Sequence, residues 1–188
     1  MDTLHSVQRE LFGVKAVFKI ELKNSKNVYM STARTNCMNG ERCIVIVDSE
    51  KFLELWRNEP YSIHSDISMG GPETWTNDRK YPHAEKGFSF GISNPVPLAT
   101  IVCSSHIERK AIYERRYFVL KRMVGVDEQQ LDYVSFINGI TRTIWLLSHG
   151  AKYFPVECGI KDGAEKLSKI AGHGKNNFAT VEQLTANT

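Results

Sequence analysis

Two stretches of this chain carry side chains that could bind or transform a phosphate. The first is Asn138-Gly139-Ile140-Thr141-Arg142, which starts with a pair that readily takes positive φ and leads directly into a helical pattern. Ile140, Ile144, Leu147 and Ala151 recur on one side of that pattern, with Thr141, Thr143 and Ser148 on the other. The first amides of the helix, those of Ile140, Thr141 and Arg142, have no intrahelical acceptor, and the helix dipole favours an anion there. Arg142 opposes that dipole unless a bound anion offsets both charges, and Thr141 adds a hydroxyl, so a phosphate suits the spacing. The alternative is a plain tight turn with Arg142 solvated. In the second stretch, Arg109, Lys110, Arg115, Arg116, Lys121 and Arg122 alternate with Tyr113, Tyr117 and Phe118. Basic residues interleaved with aromatics suit a nucleic-acid backbone, with Arg115, Arg116, Lys121 and Arg122 as the contacts; a solvated strand face is the competing meaning.

These residues need a scaffold. Tyr133, Val134, Phe136 and Ile137 are strand formers leading into the turn, Gly150 ends the helix, and Pro155 lies in a following strand over 152–158. Residues 88–92 and 98–103 read as strands flanking Asn94-Pro95-Val96-Pro97. Ser105-His106-Ile107-Glu108 has capping-box spacing and predicts a short helix over 106–114, followed by a strand over 116–124, a turn over 125–130 and a strand over 132–137. Further upstream, strands are expected over 14–22, 27–32 and 43–47. Asp48 or Ser49 then caps a helix over 50–57 that packs Phe52, Leu53, Leu55 and Trp56 on a sheet. The stretch 58–86 lacks periodicity and holds His64, Asp66, Glu73, Trp75, Asp78, Arg79, Lys80 and His83. It is either a lid over the phosphate site, with Trp75 stacking on a base, or a polar surface excursion. Asp162 caps a helix ending at Ala171, and 172–188 reads as a poorly ordered polar tail.

Composition bounds the remainder. A chain of 188 residues with 41% hydrophobic content supports one core, and hence a single domain over 1–188. A net charge of +3 does not by itself demand a nucleic-acid partner. Cys37, Cys43, Cys103 and Cys158 have no zinc spacing and read as buried thiols of a reducing, cytoplasmic environment. No apolar run is long enough to span a bilayer, so membrane insertion is not expected. Gly172-His173-Gly174-Lys175 lacks the spacing and hydroxyl of a P-loop.

The run N-G-I-T-R, a helix and then G-A-K-Y-F-P-V together resemble the central signature of the ParB/sulfiredoxin-like superfamily, in which G-x-x-R opens a helix and G-x-x-x-I-P-V enters the next strand. Gly139, Arg142, Gly150, Pro155 and Val156 match it, and Asn94 to Pro97 resembles the Pro-rich box facing the same pocket. In length and in its N-terminal half the chain is similar to the plasmid fertility inhibition factors, the FiwA and Osa (oncogenic suppression) group. The resemblance implies an α+β fold: a mixed sheet with packed helices, a motif-bearing core over 88–158 and an N-terminal α/β elaboration over about 1–87. It also implies ATP and a divalent Mg²⁺ as cofactors. Asn94, Asn138, Gly139, Ile140, Thr141 and Arg142 would hold the nucleotide, and Glu108, Asn138 and Arg142 would serve catalysis, with the metal ligands left open. The implied partners are DNA, as a transferred strand or relaxase–DNA complex, and a type IV secretion coupling protein or ATPase. That partner would place the protein in the cytoplasm, peripherally at the inner membrane.

Departures narrow the chemistry. Ile140 and Thr141 stand where sulfiredoxins carry Cys and His, so sulfinic acid repair lacks its nucleophile. Too little chain follows Cys158 for the helix-turn-helix domain of partition proteins. Asn138 replaces the Asp of several nucleotide-using relatives and removes a carboxylate that could hold Mg²⁺ or act as a base. Two classes therefore remain: an ATPase with metal-dependent DNase activity that blocks conjugative or T-DNA transfer, and a binding-only inhibitor of the transfer machinery. The first requires a carboxylate near the turn from Glu108, Asp132 or an acid of 58–86.

Overall fold

The computed structural model describes residues 3–10, 13–32, 42–116 and 120–186. An N-terminal sheet of β1 (Leu4–Glu10), β2 (Gly13–Glu21) and β3 (Asn27–Ser31) is antiparallel, and β5 (Val96–Pro97) adds to β3 in parallel. The second sheet takes β4 (Cys43–Asp48), β6 (Ala99–Arg116), β7 (Leu120–Asn138), β8 (Tyr153–Cys158) and β9 (Phe178–Thr180) in the order β7-β6-β8-β4-β9. This two-sheet mixed architecture is the α+β class expected from the sequence.

The centre of the second sheet follows from β4, an unbroken apolar run that buries Cys43 to Val47 between β8 and β9. Helix α1 (Ser49–Arg57) starts where Asp48 accepts hydrogen bonds from the Glu50 and Lys51 amides, as its cap position requires. Its buried Phe52 and Trp56 meet the sheet through edge-to-face contacts, Phe52 with Phe154 at 5.4 Å and Trp56 with Phe136 at 4.8 Å. The predicted strands over 14–22, 27–32 and 43–47 and the helix over 50–57 are therefore found, while β1 had no clear signal.

Several expectations about secondary structure are overturned. The helix over 106–114 is instead the middle of β6, an 18-residue strand paired with β7 from Thr100 opposite Asn138 to Arg116 opposite Leu120. A capping box stabilises a helix end by only about 1 kcal/mol, and a continuous cross-strand ladder competes with it at every residue. The turn over 125–130 is likewise strand. Gly125 sits in β7 beside a bulge that leaves Val124 unmatched, and residues 117–119, Tyr117 and Phe118 among them, lie outside the described residues. The strand over 88–92 is the end of helix α4 (Tyr81–Ser89) and a short 3₁₀ turn, Gly91–Ser93, with Phe88 stacked 4.2 Å from Trp145. The aperiodic stretch holds α2 (Ser65–Ser68), α3 (Pro72–Trp75) and the start of α4; the first two are too short to show a helical period. Finally, 172–188 is no loose tail: β9 pairs with β4, and Thr180 caps helix α7 (Val181–Thr185) by accepting from the Gln183 amide.

Helices α5 (Ile140–Ser148) and α6 (Lys161–Ala171) lie where the periodicity placed them, although α6 has no side-chain cap and Asp162 sits in its first turn. Cys43, Cys103 and Cys158 are buried, while Cys37 lies outside the described residues. Among the described residues no helix is long and apolar enough to cross a membrane.

Candidate functional site

Gly139 ends β7 and caps α5 with φ 107°, a conformation that only glycine takes at little cost. The turn is tight as well: a Cβ on Gly139 would lie 2.6 Å from Arg142 Nε and 2.7 Å from Ala99 Cα. Arg142 therefore folds back over the turn, and its Nη1 donates to the Pro97 carbonyl at 2.9 Å, tying the turn to the Pro-rich segment. It is half-buried, and that burial pushes the guanidinium pKa down from its ordinary value. Thr143, which the periodicity placed on the polar side, is buried and hydrogen-bonds through Oγ1 to the Gly139 carbonyl at 3.1 Å.

The turn forms one wall of an open cleft of about 950 Å³. Asn138, Gly139, Ile140, Thr141 and Arg142 all line it, and across from them stand His64, Asp78, Arg79, Lys80 and His83 of the 58–86 stretch. Lys80 caps the nine-residue helix α4, so the cleft is faced by the N-termini of both α4 and α5. Among the described residues Arg79, Lys80 and Arg142 are the fixed cations that line it, and Asp78 is the one carboxylate. Asp78 Oδ1 accepts from the Lys80 amide at 2.7 Å, shaping the loop that enters α4. Ile67, Val96, Phe136, Ile137 and Ile140 line an apolar part. The cleft thus combines fixed positive charge with apolar side chains that could seat a hydrophobic group. Among the described residues no group of three or more His, Cys, Asp or Glu gathers to hold a metal.

Other sequence candidates lie elsewhere. Asn94 is exposed at the end of the 3₁₀ turn and does not line the cleft; its neighbours Val96 and Pro97 make the connection instead. Glu108 stands opposite Gln129 on β6 and pairs with Lys110 at 3.0 Å. Thr100 is the residue opposite Asn138, so Glu108 is roughly 26 Å along the strand from the turn at about 3.3 Å per residue, too far to act there. Asp132 is held 2.5 Å from Lys166 Nζ, and this contact lowers its carboxyl pKa. It too is not part of the cleft lining. Trp75 is no base-stacking platform: it is buried, and Nε1 donates to the Ile67 carbonyl at 2.7 Å. Arg122 is exposed on the distal ribbon opposite Glu114, roughly 45 Å along the strand from the turn. The side chains of Arg115, Arg116 and Lys121 lie outside the described residues.

The apolar part of the cleft was the component missed from sequence. The sequence presents Phe136 and Ile137 as strand formers; an apolar residue adjoining the Asn138-Gly139 turn is the available signal, and the structure leaves Ile137 67% exposed there.

A family model described as plasmid fertility inhibition factor matches residues 44–172, a span holding both walls of the cleft and the whole ribbon. The chain belongs to the plasmid fertility inhibition factor family. It is 26% identical over 160 residues to protein osa of Shigella flexneri, an alignment covering 84% of this chain and 69% of that protein. Its fold matches the crystal structure of Oncogenic Suppression Activity Protein, described as a plasmid fertility inhibition factor and solved as a gold(I) cyanide derivative. That match has a TM-score of 0.68 and 23% identity and covers 98% of this chain and 83% of the other. Strands β1 to β3 lie outside the family match.

Proposed function

We propose that this fertility inhibition factor binds ATP in the cleft, with the phosphates between the α4 and α5 N-termini and the base on the apolar side, and that this activity serves its block of DNA transfer through a type IV secretion system. The observation that carries the reading is the convergence of Arg79, Lys80 and Arg142 with two helix N-termini on one cleft that also has a hydrophobic wall. Binding is tested by titrating a fluorescent ATP analogue. Arg142→Ala should weaken it roughly 10- to 150-fold, the equivalent of one charge-assisted hydrogen bond. Unchanged affinity in a folded variant would remove Arg142 from the site.

Hydrolysis requires a group that orients and deprotonates water, and Asp78 is the carboxylate the cleft supplies. Mg²⁺ fits this donor set only as an ion carried by the nucleotide, which commonly needs one or two protein carboxylates, and when bound it would neutralise phosphate charge. Asp78→Asn should retain nucleotide and lose turnover. We assign metal-dependent DNA cleavage to the same phosphate-binding wall, and excess EDTA should abolish it. A binding-only inhibitor is the second reading. It is favoured by the commitment of Asp78 to the Lys80 amide and by the distance of Glu108 from the turn. Nucleotide binding without turnover, together with undiminished suppression of conjugation by Asp78→Asn, would decide for it.

A further inference from the structure

Beyond Ser105 and Asp132, where Lys166 of α6 grips the sheet, β6 and β7 continue as a two-stranded ribbon with no third strand among the described residues. Such a ribbon is marginally stable alone and presents a bare edge. This one shows Ile107, Ile112, Tyr113, Met123, Val124 and Val126 to solvent, each 47–58% exposed. The outer edge of β7 reads Lys121-Arg122-Met123-Val124-Gly125-Val126-Asp127-Glu128: bases, an apolar centre around a glycine, then acids. The bulge makes this order symmetric in space. Val126 lies opposite Ala111 and Met123 opposite Tyr113, two residues apart on β6 and so on one face. Asp127 opposite Lys110 and Arg122 opposite Glu114 share the other face for the same reason.

We propose that this edge docks a second copy of the chain, antiparallel, with the two-fold axis at Val124–Gly125. Arg122 of each copy then faces Asp127 of the other, Met123 faces Val126, and the register positions 121 and 128 also meet. The pairing continues the β-ladder across the two copies, and each interaction occurs twice by symmetry. A nucleic acid fits this edge less well. Asp127 and Glu128 lie in line with the bases, and Arg109 already pairs with Glu128 at 2.8 Å. A strand with bases at one end and acids at the other is complementary to its own reverse. The proposal is independent of what the cleft binds.

Sedimentation velocity on the full chain tests it. The wild type should dimerise, and high salt should weaken the dimer because the charge pairs are exposed. Arg122→Asp and Asp127→Arg should each weaken dimerisation on the order of tenfold or more, since each turns two attractive cross-strand pairs repulsive. The double variant Arg122→Asp/Asp127→Arg should restore it. Val124→Cys, at the axis, should cross-link to itself under mild oxidation where the wild type does not, which checks the geometry without altering charge. A monomeric wild type, a double variant no better than the singles, or absence of the cross-link would each overturn the proposal. A monomer whose duplex-DNA binding is lost with Arg122→Asp would overturn it too and assign the ribbon to nucleic acid.

Discussion

Gly139→Ala separates two costs that the turn combines. The backbone at φ 107° is one, since an L-residue held there costs about 1–3 kcal/mol. Overlap is the other: the new Cβ would sit 2.7 Å from both Cα and Cβ of Ala99, a buried residue laddered to Val156, and such overpacking costs about 1–3 kcal/mol more. Two other glycines separate the components. Gly91 has φ 59° with nothing near its would-be Cβ, so Gly91→Ala carries the backbone cost alone. Gly159 has open space and no positive φ, so Gly159→Ala should stay within about 0.5 kcal/mol of wild type. Urea and thermal denaturation should therefore rank the losses Gly139 > Gly91 > Gly159. For a chain of this size each kcal/mol lowers Tm by about 2–4 °C, so Gly139→Ala should melt roughly 5–20 °C early. A Gly139→Ala protein as stable as Gly91→Ala would refute the close approach of the turn to Ala99.

Other perturbations probe separate parts of the molecule. Arg42 grips Glu157 through Nε and Nη2 at 2.8 and 2.6 Å, with both side chains largely buried, so Arg42→Ala should cost about 3–5 kcal/mol in urea denaturation. A loss below about 1 kcal/mol would equate it with a surface pair. The pKa of Asp132 is lowered in the fold, chiefly by Lys166, so its contribution is present above the unfolded carboxylate pKa of 3.8 and is lost as pH falls through the lower folded value. Lys166→Met should flatten that acid limb of the stability–pH curve, and an unaltered limb would refute the coupling. Burial pushes the Cys103 thiol up to about 11, so alkylation at neutral pH, followed by peptide mass spectrometry, should mark Cys103 only after unfolding.

What the sequence disclosed depended on how locally each element is determined. Strand β4 and the 133–158 segment were legible because Cys43 to Val47 form an apolar run, and because Asn138-Gly139, Gly150 and Pro155 act on their own backbone. The distal ribbon was illegible for the opposite reason. His106 to Glu114 is neither buried nor alternating, so a local capping box outweighed a ladder whose partner, Arg122 to Leu131, cannot be read from one strand. Gly125 looked like a turn because a lone glycine in a strand and a glycine in a hairpin present the same letter; the bulge opposite Ile112 distinguishes them only in space. Trp75 misled because its neighbours are polar, whereas its partner Ile67 comes from the preceding short helix.

The cleft shows the same division, and it bears on mechanism. The turn was visible as chemistry, but Asp78, the carboxylate that lines the cleft among the described residues, belongs to a distant stretch and reaches the cleft only through the packing of α2 to α4. Arg57 fastens that stretch by donating to the Ser68 and Gly70 carbonyls at 3.0 and 3.2 Å, and the buried Trp75 ties α3 to α2 through the Ile67 carbonyl. An acid on the turn would stand beside the phosphates on the same rigid element that binds them. Under the proposed nucleotide binding Asp78 would instead face the phosphates from the 58–86 stretch, so its usefulness to turnover depends on how closely that stretch approaches the turn. Arg57→Ala should therefore lower turnover more than nucleotide affinity in an enzyme, because Arg57 touches the stretch and not the cleft. In a binding-only inhibitor it has no turnover to lower, and any effect of the substitution must appear in affinity alone.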